Sequence, residues 1–225
     1  MALNGSDTSV RDGPAGGDGY RPLEATTATA LKIAVVGPLG VGKTTLVGSV
    51  SEISPLTTEE TMTKDADGVD ASGSVRYPAS KTTTTVAMDF GRISLDERLV
   101  LYLFGTPGQE RFWFLWDGLV DGALGAVVLV DVRRLEESFD VLERLERRGS
   151  PFIVAANGFP GAPVYPSEVL REALDLPSAV PVLNFDARSR SSCRDVLLAL
   201  ARHLLALTVA DRRSAGGGAR GADGR

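Results

Sequence analysis

Residues 37–45, GPLGVGKTT, carry the densest chemistry in the chain: glycines, then a lysine and two hydroxyls, at the spacing G-x-x-x-x-G-K-[ST] from Gly37 to Thr44. Glycines at such positions let the backbone turn so that successive N–H groups face inward, which makes a cradle for a chain of phosphates. The residues expected to line it are Gly37, Gly40, Val41, Gly42, Lys43, Thr44 and Thr45. A lysine at the end of the loop neutralises the β and γ oxygens, and a following Ser or Thr hydroxyl ligates Mg²⁺. A helix beginning at Lys43 adds its positive N-terminal end. A glycine loop with a purely structural role has no need of Lys-Thr at this point, so nucleotide binding is the preferred reading.

The pattern needs a buried strand before it and a helix after it, and both are legible. LKIAVV (31–36) is a continuous apolar run of the kind a central strand shows when both its faces are covered. TVAMDFGRISL and RLVLYLF flank Asp96-Glu97 as a hairpin, and LGAVVLVDV, PFIVAAN and AVPVLNFD read as further strands. EESFDVLERLERR, SEVLREAL and a last segment expected to present Cys193, Val196, Leu197, Leu200, Ala201, Leu204 and Leu205 on one face read as helices. Alternating β and α units imply an open, mostly parallel sheet covered by helices; joined to the phosphate-loop pattern, the expected fold class is a P-loop NTPase, three α/β/α layers around a six-stranded, mostly parallel sheet with one antiparallel edge strand. Cys193 and His203 belong to the last helix and are read as packing or surface residues.

Residues 29–210 form the expected domain, with polar, glycine-rich tails at 1–28 and 211–225 read as disordered. Residues 56–81 are read as a mobile insertion. The formal net charge of −5 argues against a general binder of nucleic acid or anionic membrane. One cysteine allows no internal disulfide, and with a single histidine it argues against a four-ligand Cys/His zinc site. The first residues lack an apolar leader, and the apolar stretch at 123–130 is too short to span a bilayer. A cytoplasmic protein is expected, with any membrane recruitment made through a partner.

The order of these motifs resembles the Ras-like small GTPases. TTTTVAMDFG (82–91) resembles their first switch, where a threonine closes on Mg²⁺ and the γ-phosphate; Thr85 fits best, with Thr84 its rival. GTPGQERF (105–112) resembles the second switch, which implies that the Gly108 N–H meets the γ-phosphate and that Gln109 orients the attacking water. FDAR (185–188) resembles the last motif, in which the Ala187 N–H reads the guanine carbonyl and Arg188 lies alongside. More narrowly, KTTTTVAMDFG with LFGTPGQERFWFLWDG resembles the GTPases of actinobacterial conservon operons, relatives of the bacterial polarity GTPases. That likeness implies a roadblock-type protein and a sensor-kinase-like membrane protein as partners.

Three departures bear on activity. Gly105 stands where the family has a magnesium-shell aspartate, which implies weaker Mg²⁺ binding and a slow reaction that Gly105→Asp should accelerate. Asn157-Gly158-Phe159-Pro160 replaces Asn-Lys-x-Asp: Asn157 is kept as an expected nucleotide contact, but the acid that accepts from guanine is missing, at roughly 1.5–3 kcal/mol per charged hydrogen bond. Asp186 or another acid could fill that role. The connection from Gly42 to Thr85 is also long. Two readings compete: a slow GTPase switch, and a non-catalytic or weakly base-selective nucleotide-binding interaction module. A P-loop ATPase or kinase ranks third. Phe112, Trp113, Phe114 and Trp116 follow the second switch too closely for one helix face to bury them all. Phe112, Trp113 and Trp116 are therefore expected to meet a partner, with Trp113 the leading anchor.

Overall fold

The computed structural model of the protein describes residues 29–54, 56–63, 83–108 and 113–217. In chain order the elements are β1 (Thr29–Val36), α1 (Lys43–Val50), β2 (Leu56–Thr63), β3 (Thr83–Ser94), β4 (Leu99–Gly105) and α2 (Trp113–Val120). These are followed by β5 (Gly125–Val130), α3 (Phe139–Arg148), β6 (Phe152–Asn157), α4 (Ser167–Ala173), β7 (Val182–Phe185) and α5 (Arg190–Gly217). Among the described residues the strands form one sheet in the order β2-β3-β4-β1-β5-β6-β7.

The expected six strands are all present, parallel from β4 through β1, β5 and β6 to β7, with β3 antiparallel to β4. A seventh, β2, pairs antiparallel with β3 and lies outside it. Residues Leu56–Thr63 are thus strand where a loop was expected; β-branched threonines favour extended backbone, and charged Glu59 and Glu60 suit a sheet edge. Residues 64–81, like the 1–28 tail, lie outside the described residues. At the other end α5 runs on through Gly217 rather than stopping at residue 210. Alanine and arginine after Ala210 are good helix formers, and they continue a helix already nucleated by packing.

Alternation along the strands divides the core. Ile33 and Val35 of β1 join Leu46, Leu103, Leu129 and Val196 between the sheet and helices α1 and α5. Ala34 and Val36 point to the other face, with Trp116, Val128, Leu142 and Leu145 beneath α2 and α3. Every residue of β5 and β6 is buried, as a strand sandwiched between two helical layers requires. Cys193 is fully buried within the first of these layers. Because β1 has β4 on one side and β5 on the other, successive connections leave it in opposite directions. This is the point in a doubly wound sheet where a crevice opens at the carboxyl ends of the strands.

Candidate nucleotide site

The phosphate loop leaves β1 at that crevice. Gly37, Gly40 and Gly42 all have positive φ, at 141°, 78° and 105°. At two of them space also demands glycine. A Cβ on Gly37 would lie 2.4 Å from the Leu129 carbonyl oxygen of β5, and one on Gly42 would lie 2.6 Å from Asn157 Nδ2. The loop is therefore pressed against the ends of β5 and β6, and α1 begins where the Gly42 carbonyl accepts from Leu46 N at 2.8 Å.

Lys43 is 8% exposed and donates to the carbonyls of Gly37 at 2.8 Å and Pro38 at 2.6 Å, so its ammonium spans the loop. Burial pulls its pKa down to about 8, against the opposing pull of the Asp89 carboxylate. The energy of that desolvated cation is recovered when an anion arrives. Gly108 closes the same space: a Cβ there would sit 2.7 Å from Leu39 N and 2.8 Å from Lys43 Nζ. The Gly108 backbone thus lies against the phosphate loop. Beside it, the Thr106 hydroxyl is buried without a hydrogen-bond partner among the described residues. Thr106 lines a cavity of about 260 Å³ with Gly37, Pro38, Leu39, Gly108 and Trp116.

The acid missing at residue 105 has a counterpart on the neighbouring strand. Asp89 of β3 lies directly opposite Gly105 of β4, and its Oδ2 accepts from Thr44 Oγ1 at 2.6 Å. Opposed residues in an antiparallel pair project to the same face. A Cβ on Gly105 would fall 2.8 Å from Asp89 Cβ and 2.9 Å from Oδ2, so the two positions share one space. Gly105 is the partner a buried Asp89 requires. Two hard oxygens, a hydroxyl and a 6%-exposed carboxylate, stand side by side at the start of α1. This donor set fits Mg²⁺, which takes one or two carboxylates together with substrate phosphates and water. Among the described residues no cluster of three or more His, Cys, Asp or Glu could hold a metal unaided, so an ion here would draw its other ligands from phosphate and water.

This geometry corrects the expectation for Gly105→Asp. The added side chain would meet the body of Asp89 and set a second carboxylate against the first. Overpacking of this kind costs about 1–3 kcal/mol. A fall in Tm of several degrees, on the order of 4–8 °C for 2 kcal/mol, is expected, with no gain in turnover. Differential scanning calorimetry checks the first and phosphate release the second; faster release at an unchanged Tm would contradict the shared-space argument.

At the other end of the crevice the structure brings Gly42, Asn157 and Ala187 together, but not in the roles expected. Asn157 Nδ2 donates to Val41 O at 3.0 Å, and its Oδ1 accepts from the Ala187 N–H at 3.0 Å. The Ala187 amide is turned inward to Asn157 and is not presented to a base carbonyl. Asp186 is likewise engaged, accepting from the Arg188 backbone and from both Nε and Nη2 of Arg188, which holds its carboxyl below the usual range. Arg188 is exposed and paired to Asp186. These groups tie the β7–α5 loop to the phosphate loop.

Several expected residues stand elsewhere. Thr85 is paired opposite Thr61 in the β2–β3 ladder, four residues or about 13 Å along the strand from Asp89. In this conformation it is part of the sheet extension and away from Thr44. Gln109 and Phe112 lie outside the described residues, and so does the side chain of Trp113, whose backbone opens α2. Trp116 is a correction: at 2% exposure it is core beneath α2, packed with Val36 and Leu142, and is not a partner surface. Residues that sequence reading passed over are Asp89, Asp131, Arg133 and Arg134. Asp131, 1% exposed, accepts from Arg133 Nε at 2.9 Å and Nη2 at 2.7 Å, and those bonds hold its carboxyl below the usual range. The signal for Asp89 was a charged residue inside an otherwise apolar strand segment.

Comparison with known proteins agrees with this geometry. Residues 35–207 match the family described as conserved hypothetical ATP binding protein. The uncharacterized protein MJ1339 of Methanocaldococcus jannaschii is 27% identical over 129 residues, 56% of this chain and 69% of that protein. The Ras-related protein Rab7 of Glycine max is 32% identical over 143 residues, 57% of this chain and 58% of Rab7. Two solved G domains share the fold. That of the T. maritima FeoB iron transporter has a TM-score of 0.51 at 19% identity, covering 79% of this chain and 98% of its own. The FeoB G domain of Methanococcus jannaschii has a TM-score of 0.50 at 15% identity, covering 78% and 97%. With its phosphate loop, its G-domain fold and a family match over most of its length, the chain belongs to the conserved hypothetical ATP binding protein family, and it is a nucleotide-binding protein.

Proposed function

We propose that the protein is a nucleotide-dependent switch that binds a nucleoside triphosphate with Mg²⁺ and hydrolyses it slowly. The observation that carries this reading is the pair formed by Thr44 Oγ1 and Asp89 Oδ2, 2.6 Å apart, beside the buried Lys43. The loop amides and Lys43 hold the β and γ phosphates; Thr44 and Asp89 hold the cation, which supplies charge neutralisation when bound. Gln109 is the water-orienting residue on this reading, by its place one residue beyond Gly108. No arginine is evident in the first-switch stretch TTTTVAMDFG to stabilise the developing charge, which fits a slow reaction. Calorimetric titration with GTP, GDP and ATP, with and without Mg²⁺, and single-turnover phosphate release test the proposal. Micromolar or tighter binding with slow, Mg²⁺-dependent release is expected; binding with no release over many hours would leave the non-catalytic module as the function.

The engagement of Asn157, Ala187 and Asp186 with protein partners supports weak base selectivity. A site that reads a base by hydrogen bonds discriminates strongly, because a mismatched base leaves polar groups unpaired. Here those groups are already paired, and the Pro160 side chain offers neither donor nor acceptor.

The likeness of the switch stretch to conservon GTPases supports a roadblock-type protein as the switch's reader, with the sensor-kinase-like membrane protein as a route to membrane recruitment from the cytoplasm. No helix among the described residues is long and apolar enough to cross a membrane. Trp113 opens α2 just past the second switch, where the γ-phosphate can bias its position. Trp113→Ala is expected to weaken the complex with that protein by about 2 kcal/mol while leaving Tm unchanged. A loss of Tm with unaltered partner binding would instead make Trp113 a core residue like Trp116.

A further inference from the structure

On one side of the crevice a single buried carboxylate organises two arginines. Asp131, at the end of β5, holds Arg133 by two hydrogen bonds, and Arg134 Nη2 lies 3.6 Å from the same Oδ2. The two guanidinium groups diverge. Arg134 reaches the phosphate loop, where its Nη2 donates to Leu39 O at 3.3 Å. Arg133 lies over the ring of Phe159, 4.2 Å from its centroid. Phe159 comes two residues after Asn157, whose amide touches the underside of the phosphate loop. A line of contacts thus runs from the phosphate loop, through Arg134 and the buried Asp131, to the cation-on-aromatic stack of Arg133 and Phe159.

That stack stands where the ordinary means of reading a base are lacking. Gly158 has no side chain and Pro160 no polar group, while the side chains of Asn157 and Asp186 and the amide of Ala187 are spent on other protein atoms. What remains, just beyond the ends of β5 and β6, is the stack of Arg133 on Phe159. Arg133 keeps about half of its side chain (46%) exposed even with its guanidinium over the Phe159 ring. A guanidinium fixed in its plane by a bidentate carboxylate has little freedom left to lose, and aromatic bases stack on such planes whatever their edge pattern.

We propose that Arg133, backed by Phe159 and fixed by Asp131, is the platform on which the purine of the bound nucleotide lies, so that adenine and guanine triphosphates bind alike. The proposal rests on the nucleotide-binding reading above and goes beyond it in assigning the base subsite. It makes Arg133 and Phe159 contacts for the base, and Asp131 a positioning residue that acts through Arg133.

The test separates base from phosphate. Affinities for ATP, GTP and inorganic tripolyphosphate are measured by calorimetry on the full chain, for the native protein and for Arg133→Ser, Phe159→Ala and Phe159→Tyr. Stacking of one base implies a loss of about tenfold or more for ATP and GTP, by equal factors, in Arg133→Ser and Phe159→Ala. Tripolyphosphate binding should stay as in the native protein, which also shows that each variant is folded. Phe159→Tyr, which keeps the ring, should keep the affinity for both nucleotides. Equal losses for tripolyphosphate and nucleotides in Arg133→Ser would make Arg133 a phosphate ligand and overturn the proposal, as would loss of GTP binding alone. Native affinities for ATP and GTP no better than for tripolyphosphate would also overturn it while leaving the phosphate site standing. A native protein that binds none of the three would refute the nucleotide-binding reading itself.

Discussion

Lys43→Met should abolish nucleotide binding under conditions in which the native protein saturates. The ammonium is held at the centre of the phosphate loop by the Gly37 and Pro38 carbonyls, with burial already depressing its pKa. A cation kept so poorly solvated gains more than usual from a polyphosphate, and charged hydrogen bonds contribute about 1.5–3 kcal/mol each. Losing contacts to two phosphates removes about 3 kcal/mol or more, a factor of 100 or greater in Kd. The fold should survive. Replacing a desolvated charge by an apolar chain of similar length is often neutral, and Gly37 and Pro38, whose carbonyls are freed, line the cavity of about 260 Å³, which has room for water. Calorimetry with Mg²⁺ and GTP measures the first effect and circular dichroism the second. Undiminished affinity in the variant would remove Lys43 from the site, and with it the phosphate-loop assignment.

Asp89→Asn should uncouple nucleotide binding from Mg²⁺. The amide oxygen can still accept from the Thr44 hydroxyl, so the contact between α1 and β3 is kept while the negative charge is lost. An ion bound by one protein carboxylate and by phosphates cannot spare that charge. The gain in GTP affinity on adding Mg²⁺, large in the native protein, should shrink at least tenfold, and single-turnover hydrolysis should fall by about 100-fold or more, as when a major electrostatic stabiliser is removed. Binding measured in EDTA should change little or improve, because a carboxylate near the phosphates is gone. An unchanged Mg²⁺ response would mean that another acid serves the metal.

Features set by local spacing were legible in the sequence, and those set by register were not. Gly37 to Thr44 could be read because the loop makes its own site: the conformation of each glycine and the reach of Lys43 depend on immediate neighbours. The order of strands and helices was legible for the same reason, through the buried runs of β1, β5 and β6. Asp89 was missed because its meaning lies in the residue across the ladder. Gly105 alone reads as a lost acid, and only its pairing with Asp89 reveals a carboxylate in the same space, on which the proposed relocation of the acid rests. Trp116 was misjudged because WFLWDGLV is apolar nearly all round, so its sequence does not say which face the sheet will cover. Ala187 was assigned its partner by resemblance, whereas Asn157, brought to it by the pairing of β6 with β7, takes the same N–H. The β2 strand and the end of α5 depend on docking and continuation, which weak local preference does not reveal.

The relocation of the acid can be tested by moving it back. In the exchange variant Asp89→Gly with Gly105→Asp, the collision seen for Gly105→Asp alone is relieved, because the Asp89 side chain no longer occupies the space. The measurement is the ratio of GTP affinities with and without Mg²⁺, taken for the native protein, for Asp89→Gly and for the exchange. The ratio should be high, then close to one, then substantially restored. A ratio as high in Asp89→Gly as in the native protein, or one that the exchange leaves near one although the variant binds GTP in EDTA and is folded, would show that residues 89 and 105 do not share the metal-holding role.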